Sequence, residues 1–317
     1  MTEHTFSGER YRKFSRRLKE KFGCRVYKIT LDAGLSCPNR DGTAGKNGCI
    51  FCDPAGGSGR AAEGSRASIS RQIQNGMEAL KRRYKAEKFI AYFQSFTNTY
   101  APPDQLKRLY DEASAHPDVV GLSIATRPDC LSSDILDLIS GYAGRFYTWI
   151  ELGVQSIHTS SLKYISRGHG LFAITDAMIA IRKRPIHQCA HLIVGLPEET
   201  QEDMRETVRT VSRLGADAVK FHMLYVTRGS RLLREYQQGR LPLMTMEEYV
   251  NTVVMLLENL SPEILIQRLT SDAHPDILAS PEWLADKSRI IRSIETALVK
   301  KDTRQGRKYQ SLSPPPG

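Results

Sequence analysis

Apolar positions along the chain fall into two alternating patterns. Compact runs rich in β-branched and aromatic residues, Arg25 to Asp32, Lys88 to Gln94, Val119 to Ala125, Tyr147 to Gly153, Gln188 to Val194 and Ala218 to Met223, read as six strands. Between them, apolar residues recur at helical spacing over Ile69 to Tyr84, Pro103 to Ala115, Ser133 to Tyr142, Leu171 to Lys183 and Thr200 to Leu214. Two of these helices carry start signals, Ser132 or Ser133 ahead of Asp134 and Thr200 ahead of Glu202 and Asp203. Strands separated by helices pair in parallel through right-handed crossovers, which predicts an α/β fold, either a barrel or a doubly wound sheet. After the sixth strand come helical patterns at about Ser230 to Gln238, Thr245 to Leu260 and Leu284 to Lys300, with a short apolar run, Ile264 to Leu269, among them. The chain end, Pro314 to Gly317, is expected to be loose.

The start of the chain adds one more helix. Tyr11, Phe14, Leu18 and Phe22 recur at three- and four-residue spacing, an apolar stripe that would dock while Arg10, Arg12, Lys13, Arg16, Arg17 and Lys19 face solvent. Charge sharpens this picture. Residues 9–21 hold seven basic and two acidic residues, a net +5, and residues 300–308 hold five and one, a net +4, so the termini carry nine of the ten net charges. A solvated face and a frayed tail would account for either run alone; both termini being basic around a nearly neutral body points to a polyanion partner.

With 317 residues, 40% hydrophobic and 25% charged, the chain can bury one large core. No apolar run approaches the ~20 residues that span a bilayer, and the N-terminus lacks the apolar core of a secretory signal. A cytoplasmic location follows as the expectation, and thiols in that reducing compartment serve as metal ligands or catalytic groups rather than disulfides.

Those thiols carry the candidate chemistry. Cys37, Cys49 and Cys52 lie in one loop, Ser-Cys-Pro-Asn-Arg-Asp-Gly-Thr-Ala-Gly-Lys-Asn-Gly-Cys-Ile-Phe-Cys, directly after the first strand. Three thiolates can bind three irons of a 4Fe-4S cluster and leave the fourth open to a small molecule. A zinc knuckle would want a fourth ligand, and the nearest histidine after Cys52 is His116. A thioredoxin-like pair would open a helix, whereas Gly56-Gly57-Ser58-Gly59 follows here. Cys24, Cys130 and Cys189 have no partner at motif spacing and read as structural. Polar motifs also close the other strands: Gln94 to Thr99, Thr126-Arg-Pro-Asp129, Glu151-Leu-Gly-Val-Gln-Ser156, Gly195-Leu-Pro-Glu198 and His222 to Tyr225. Ligand sites of parallel α/β folds gather at the carboxyl ends of strands.

Taken in order, these motifs, with Arg167-Gly-His169 and His191-Leu-Ile-Val-Gly-Leu-Pro197, resemble the radical S-adenosylmethionine (SAM) superfamily. Within it they resemble the YhcC-like proteins, relatives of the radical domain of the Elongator catalytic subunit. Eleven residues between Cys37 and Cys49 depart from the commonest Cys-x3-Cys-x2-Cys spacing, and a long first gap is what the Elongator-like branch shows. The resemblance implies a partial (β/α)6 barrel, over residues 25–230, to which spacing and charge add a basic N-terminal helix over 1–24 and a C-terminal helical extension and basic tail over 231–317. It implies a 4Fe-4S cluster on Cys37, Cys49 and Cys52 and SAM chelated to the open iron. Phe51 matches the position whose backbone meets the adenine, and Gln94 stands where many members hold the methionine amine. Glu151 and Ser156 match positions that reach the ribose or methionine end, Arg167 would pair the methionine carboxylate, and Gly195 would let the adenine approach. Glu151 paired with Arg127, His169 or His191 bonded to backbone, and Arg167-Gly168-His169 as a helix stop are the alternatives. An electron from a reductant such as flavodoxin or ferredoxin would cleave SAM to a 5'-deoxyadenosyl radical. Related branches act on the wobble uridine of transfer RNA (tRNA), which fits the basic termini. A small-metabolite radical enzyme and a metal-containing RNA-binding protein are the rivals.

Overall fold

The computed structural model describes residues 8–52, 56, 67–273 and 275–310; Gly57 to Gly59 and Pro314 to Gly317 lie outside these. The expected strands form, with ends moved by one or two residues: β1 Val26–Leu31, β2 Lys88–Phe93, β3 Val119–Thr126, β4 Tyr147–Gln155, β5 His187–Val194 and β6 Ala218–Met223. They pair in parallel, in chain order, as one sheet. β4 is buried at every position, as befits a central strand covered on both faces.

The sheet has one more strand than expected. The apolar run after the sixth strand is β8, Leu265–Arg268, which pairs in parallel with β6 and makes a seven-stranded half-barrel. A four-residue run carries too little alternation to be told from a buried loop. A two-stranded antiparallel ribbon, β7 Val226–Thr227 with β9 Leu278–Ser280, and a short helix, Thr159–Tyr164, were also not legible in the pattern. Thr200 caps its helix through a reciprocal box with Asp203, as expected, and Thr245 does the same with Glu248; Ser132 stands at its N-cap without a side-chain bond.

Each end of the half-barrel is closed by a different segment. The N-terminal helix, Phe14–Phe22, seals the end where the strands begin: Phe14 and Leu18 are buried with Val26, Ile90, Tyr147, Trp149, Cys189, Ala218 and Leu265. Phe14 meets Trp149 edge-on, with centroids 5.3 Å apart. The apolar stripe is therefore a plug. Tyr11, Arg10, Arg12 and Lys13, expected on this helix, precede it, and Arg12 pairs with Glu263, Lys13 with Glu295 and Arg10 with Asp302. Arg16, Arg17 and Lys19 are exposed. Nor is the C-terminal basic segment frayed. Gln305 is buried and donates to the carbonyls of Ser261 and Ile264, and its backbone N–H donates to the carbonyl of Arg10, so the two basic segments meet. The cysteine loop closes the opposite end.

Candidate active site at the cysteine loop

The loop after β1 is held by backbone bonds to distant segments. Ile50 N–H donates to the carbonyl of Ile165 and Leu232 N–H to that of Ile50, while Asn39 Nδ2 donates to the carbonyl of Ser166 at 2.7 Å. Ile165 and Ser166, the turn that leads into Arg167-Gly168-His169, thus buttress the cysteine loop. Cys37, Cys49 and Cys52 line a cavity of about 200 Å³ together with Phe51, Gln94, Glu151 and Arg167. The structure thereby brings together seven of the nine residues expected at the site. Ser156 turns away and donates to Glu199, and a Cβ at Gly195 would meet Met244 Sδ at 3.2 Å, so neither lines this cavity.

Guanidinium groups surround the sulfurs. Arg167 Nη1 donates to Cys49 Sγ at 3.4 Å and Nη2 to the Gly153 carbonyl at 2.7 Å. A Cβ at position 153 would collide with that guanidinium, which gives Gly153 a steric reason in the Glu-Leu-Gly motif. Arg40 Nη2 donates to Cys52 Sγ at 3.2 Å, and its guanidinium lies 5.3 Å from the centroid of the Phe96 ring. Arg127 is buried and grips Asp129 with two bonds, at 2.8 and 2.7 Å, so its partner is not Glu151. Burial works to raise the Asp129 carboxyl, and Arg127 overcomes it and holds it below the usual range. Arg127 was expected only as a possible partner of Glu151, and Arg40 was given no role of its own; an Arg three residues after the first cysteine and the Thr-Arg-Pro-Asp turn were the available signals.

Deeper in the barrel Glu151 is fully buried and saturated. It accepts from Lys28, Lys220, Ser123 Oγ at 2.6 Å and His191 Nε2 at 2.7 Å. Burial alone would raise its pKa, but Lys220, Lys28 and His191 keep it well below the carboxylate norm. Burial, then Lys220, pushes His191 down to about 4, so it is a neutral donor at pH 7. Lys220 is pulled down to about 7 by burial, against the attraction of Glu151, and donates also to Tyr92 Oη at 3.1 Å. Glu151, Cys189 and His191 are close enough to share a metal ion, but two ammonium groups already occupy the carboxylate.

The donor set fits an iron–sulfur cluster with a bound SAM. Three thiols from one loop open onto one cavity, N–H groups reach two of the sulfurs, and Arg127 Nη1 and Arg167 Nε are buried without partners. Among the described residues no helix is long and apolar enough to cross a membrane.

Comparison with known proteins agrees. The Radical SAM superfamily model matches residues 42–211, and the Radical_SAM C-terminal domain model matches residues 216–300. The chain is 36% identical over 304 residues to the uncharacterised protein YtqA of Bacillus subtilis, covering 96% of this chain and 94% of that one. It is 35% identical over 271 residues to protein YhcC of Escherichia coli, covering 85% and 86%. In fold it is similar to the Elp3 of Methanocaldococcus infernus, with a TM-score of 0.67 at 17% identity, over 88% of this chain and 64% of that one. The chain therefore belongs to the radical SAM superfamily, alongside the YhcC-like proteins, as an enzyme that binds a 4Fe-4S cluster and SAM.

Proposed function

We propose that Cys37, Cys49 and Cys52 hold the cluster and that the enzyme remodels the side chain of a tRNA uridine. One observation carries the first part: three thiols of a single loop face one cavity at the carboxyl ends of the strands, with guanidinium donors on Cys49 and Cys52. When bound, the cluster and SAM supply a radical able to take hydrogen from an unactivated carbon. The chain's own residues set the conditions. Arg40 and Arg167 offset the thiolate charge, and Phe51 and Gln94 flank the space above the sulfurs. Gln155, held at a φ of +69°, lines the same space.

The tRNA reading is supported by the basic surface. The two basic terminal segments meet, through Arg10 with Asp302 and through Arg12 N–H with Gln305 Oε1 at 3.0 Å, so their exposed cations share one region. Such a surface engages phosphates without reading sequence. The likeness to the Elongator-type branch points to uridine, and a flavodoxin- or ferredoxin-type reductant in the cytoplasm would serve the cluster. Mass spectrometry of tRNA nucleosides from cells with and without this protein tests the reading. A uridine derivative missing from the deletion strain and restored by the gene is expected; identical nucleoside profiles would contradict it.

A further inference from the structure

The half-barrel has a second opening. A cavity of about 760 Å³ lies at its side, lined by residues of the N-terminal helix and of the two edge strands, β1 and β8. Tyr92, Gln94, Lys220 and Arg268 line both this cavity and the cysteine cavity, so the two share a wall. Strand register builds that wall. Lys220 on β6 is aligned with His191 on β5 and with Arg268 on β8, and alternation turns His222 to the same face as Lys220.

The wall is cationic and incompletely paired. Lys28 and Lys220 share the single carboxylate of Glu151. Arg268 reaches Asp272 only at 3.7 Å, and Asp272 is also held by Lys287. His222 Nε2 is buried with no partner and faces the cysteine cavity. Two lysines on one buried carboxylate, beside a partly exposed guanidinium, leave an excess of positive charge that an anion would offset. Outward along the same cavity stand Arg16 and Lys19 of the N-terminal helix, so the positive potential continues from the wall to the surface.

We propose that Lys220, Arg268 and His222 form an oxyanion subsite for a phosphate of the substrate, which enters sideways between β1 and β8 and presents its base to the cysteine loop. Phosphate, rather than an isolated carboxylate, suits the site because the cationic path continues outward, as a chain of phosphates requires. This inference rests on the nucleic-acid reading and deepens it.

The test is calorimetric binding of uridine 5'-monophosphate and of uridine to the reconstituted full chain at low salt. The phosphate should improve affinity about tenfold or more, the scale of one charge-assisted hydrogen bond. Arg268→Gln should abolish that advantage, and Arg268→Lys should keep part of it. Wild-type far-UV circular dichroism and melting would show that both variants fold. Equal affinity for the two ligands in the wild type, or an undiminished phosphate advantage in Arg268→Gln, overturns the subsite; tRNA binding that persists alongside either result leaves the nucleic-acid reading standing alone. A phosphate advantage lost in Arg268→Gln, with no tRNA binding at low salt, upholds the subsite and moves the substrate to a phosphorylated small molecule.

Discussion

The two ends of the central cavity are built on opposite principles. At the cysteine end, donors outnumber acceptors: Arg127 Nη1 and Arg167 Nε are buried without partners beside three thiols. In the barrel's interior, Glu151 accepts four side-chain donors and has no capacity to spare. The unsatisfied end is arranged for ligands that complete it, and the saturated one locks strands β1, β3, β4, β5 and β6 together. A carboxylate in a ligand motif can thus serve as the keystone of the scaffold, which is how the structure places Glu151.

The largest effect should come from breaking that keystone. Glu151→Gln leaves Lys28 and Lys220 facing a neutral amide, and unfolding in urea should show a loss of about 3–5 kcal/mol, whereas adding Lys220→Met should restore much of it. A single variant as stable as the wild type would mean that the hub is not closed.

A smaller effect should appear with pH. Lys220 has a folded pKa of about 7 against an ordinary 10.5, so between these values the unfolded chain binds the proton that the folded one has released. Lys220 therefore lowers stability below about pH 7, and its cost fades as pH rises toward 10.5. Melting temperatures should climb more steeply from pH 7 to 10 in the wild type than in Lys220→Met. Parallel profiles would assign the climb to other groups.

The smallest effect on the fold, and a specific one on binding, should follow neutralisation of Arg16, Arg17 and Lys19 to Gln. All three are exposed, Arg16 pairing with Glu20 of its own helix, whereas Arg12 and Lys13 are held by the distant Glu263 and Glu295. The slope of log affinity for tRNA against log salt should flatten by roughly 0.7–0.9 for each phosphate that the variant no longer neutralises. An unchanged slope would take the helix out of the binding surface.

How much of this was legible in the sequence depended on the range of the interaction. Local periodicity gave the six expected strands, the crossover helices and the plug face of the N-terminal helix, because these follow from spacing within one element. The cysteine loop was legible for the same reason. β8 was not, since its identity as a strand comes from pairing with β6 across more than forty intervening residues. The partners of Glu151 come from four other strands, with Lys28 on β1, Ser123 on β3, His191 on β5 and Lys220 on β6, and no short motif encodes such a meeting. Ser156 marks the limit of motif transfer: it bonds Glu199 outside the cavity, a geometry set by the local turn rather than by residue type.

Which cysteines hold the cluster is read directly from iron and sulfide content after anaerobic reconstitution of six single Cys→Ala variants. About four irons per chain are expected in the wild type and in the Cys24, Cys130 and Cys189 variants. The Cys37, Cys49 and Cys52 variants should lose the cluster. Full iron and sulfide in any one of those last three, or loss of the cluster in the Cys130 variant, would contradict this assignment.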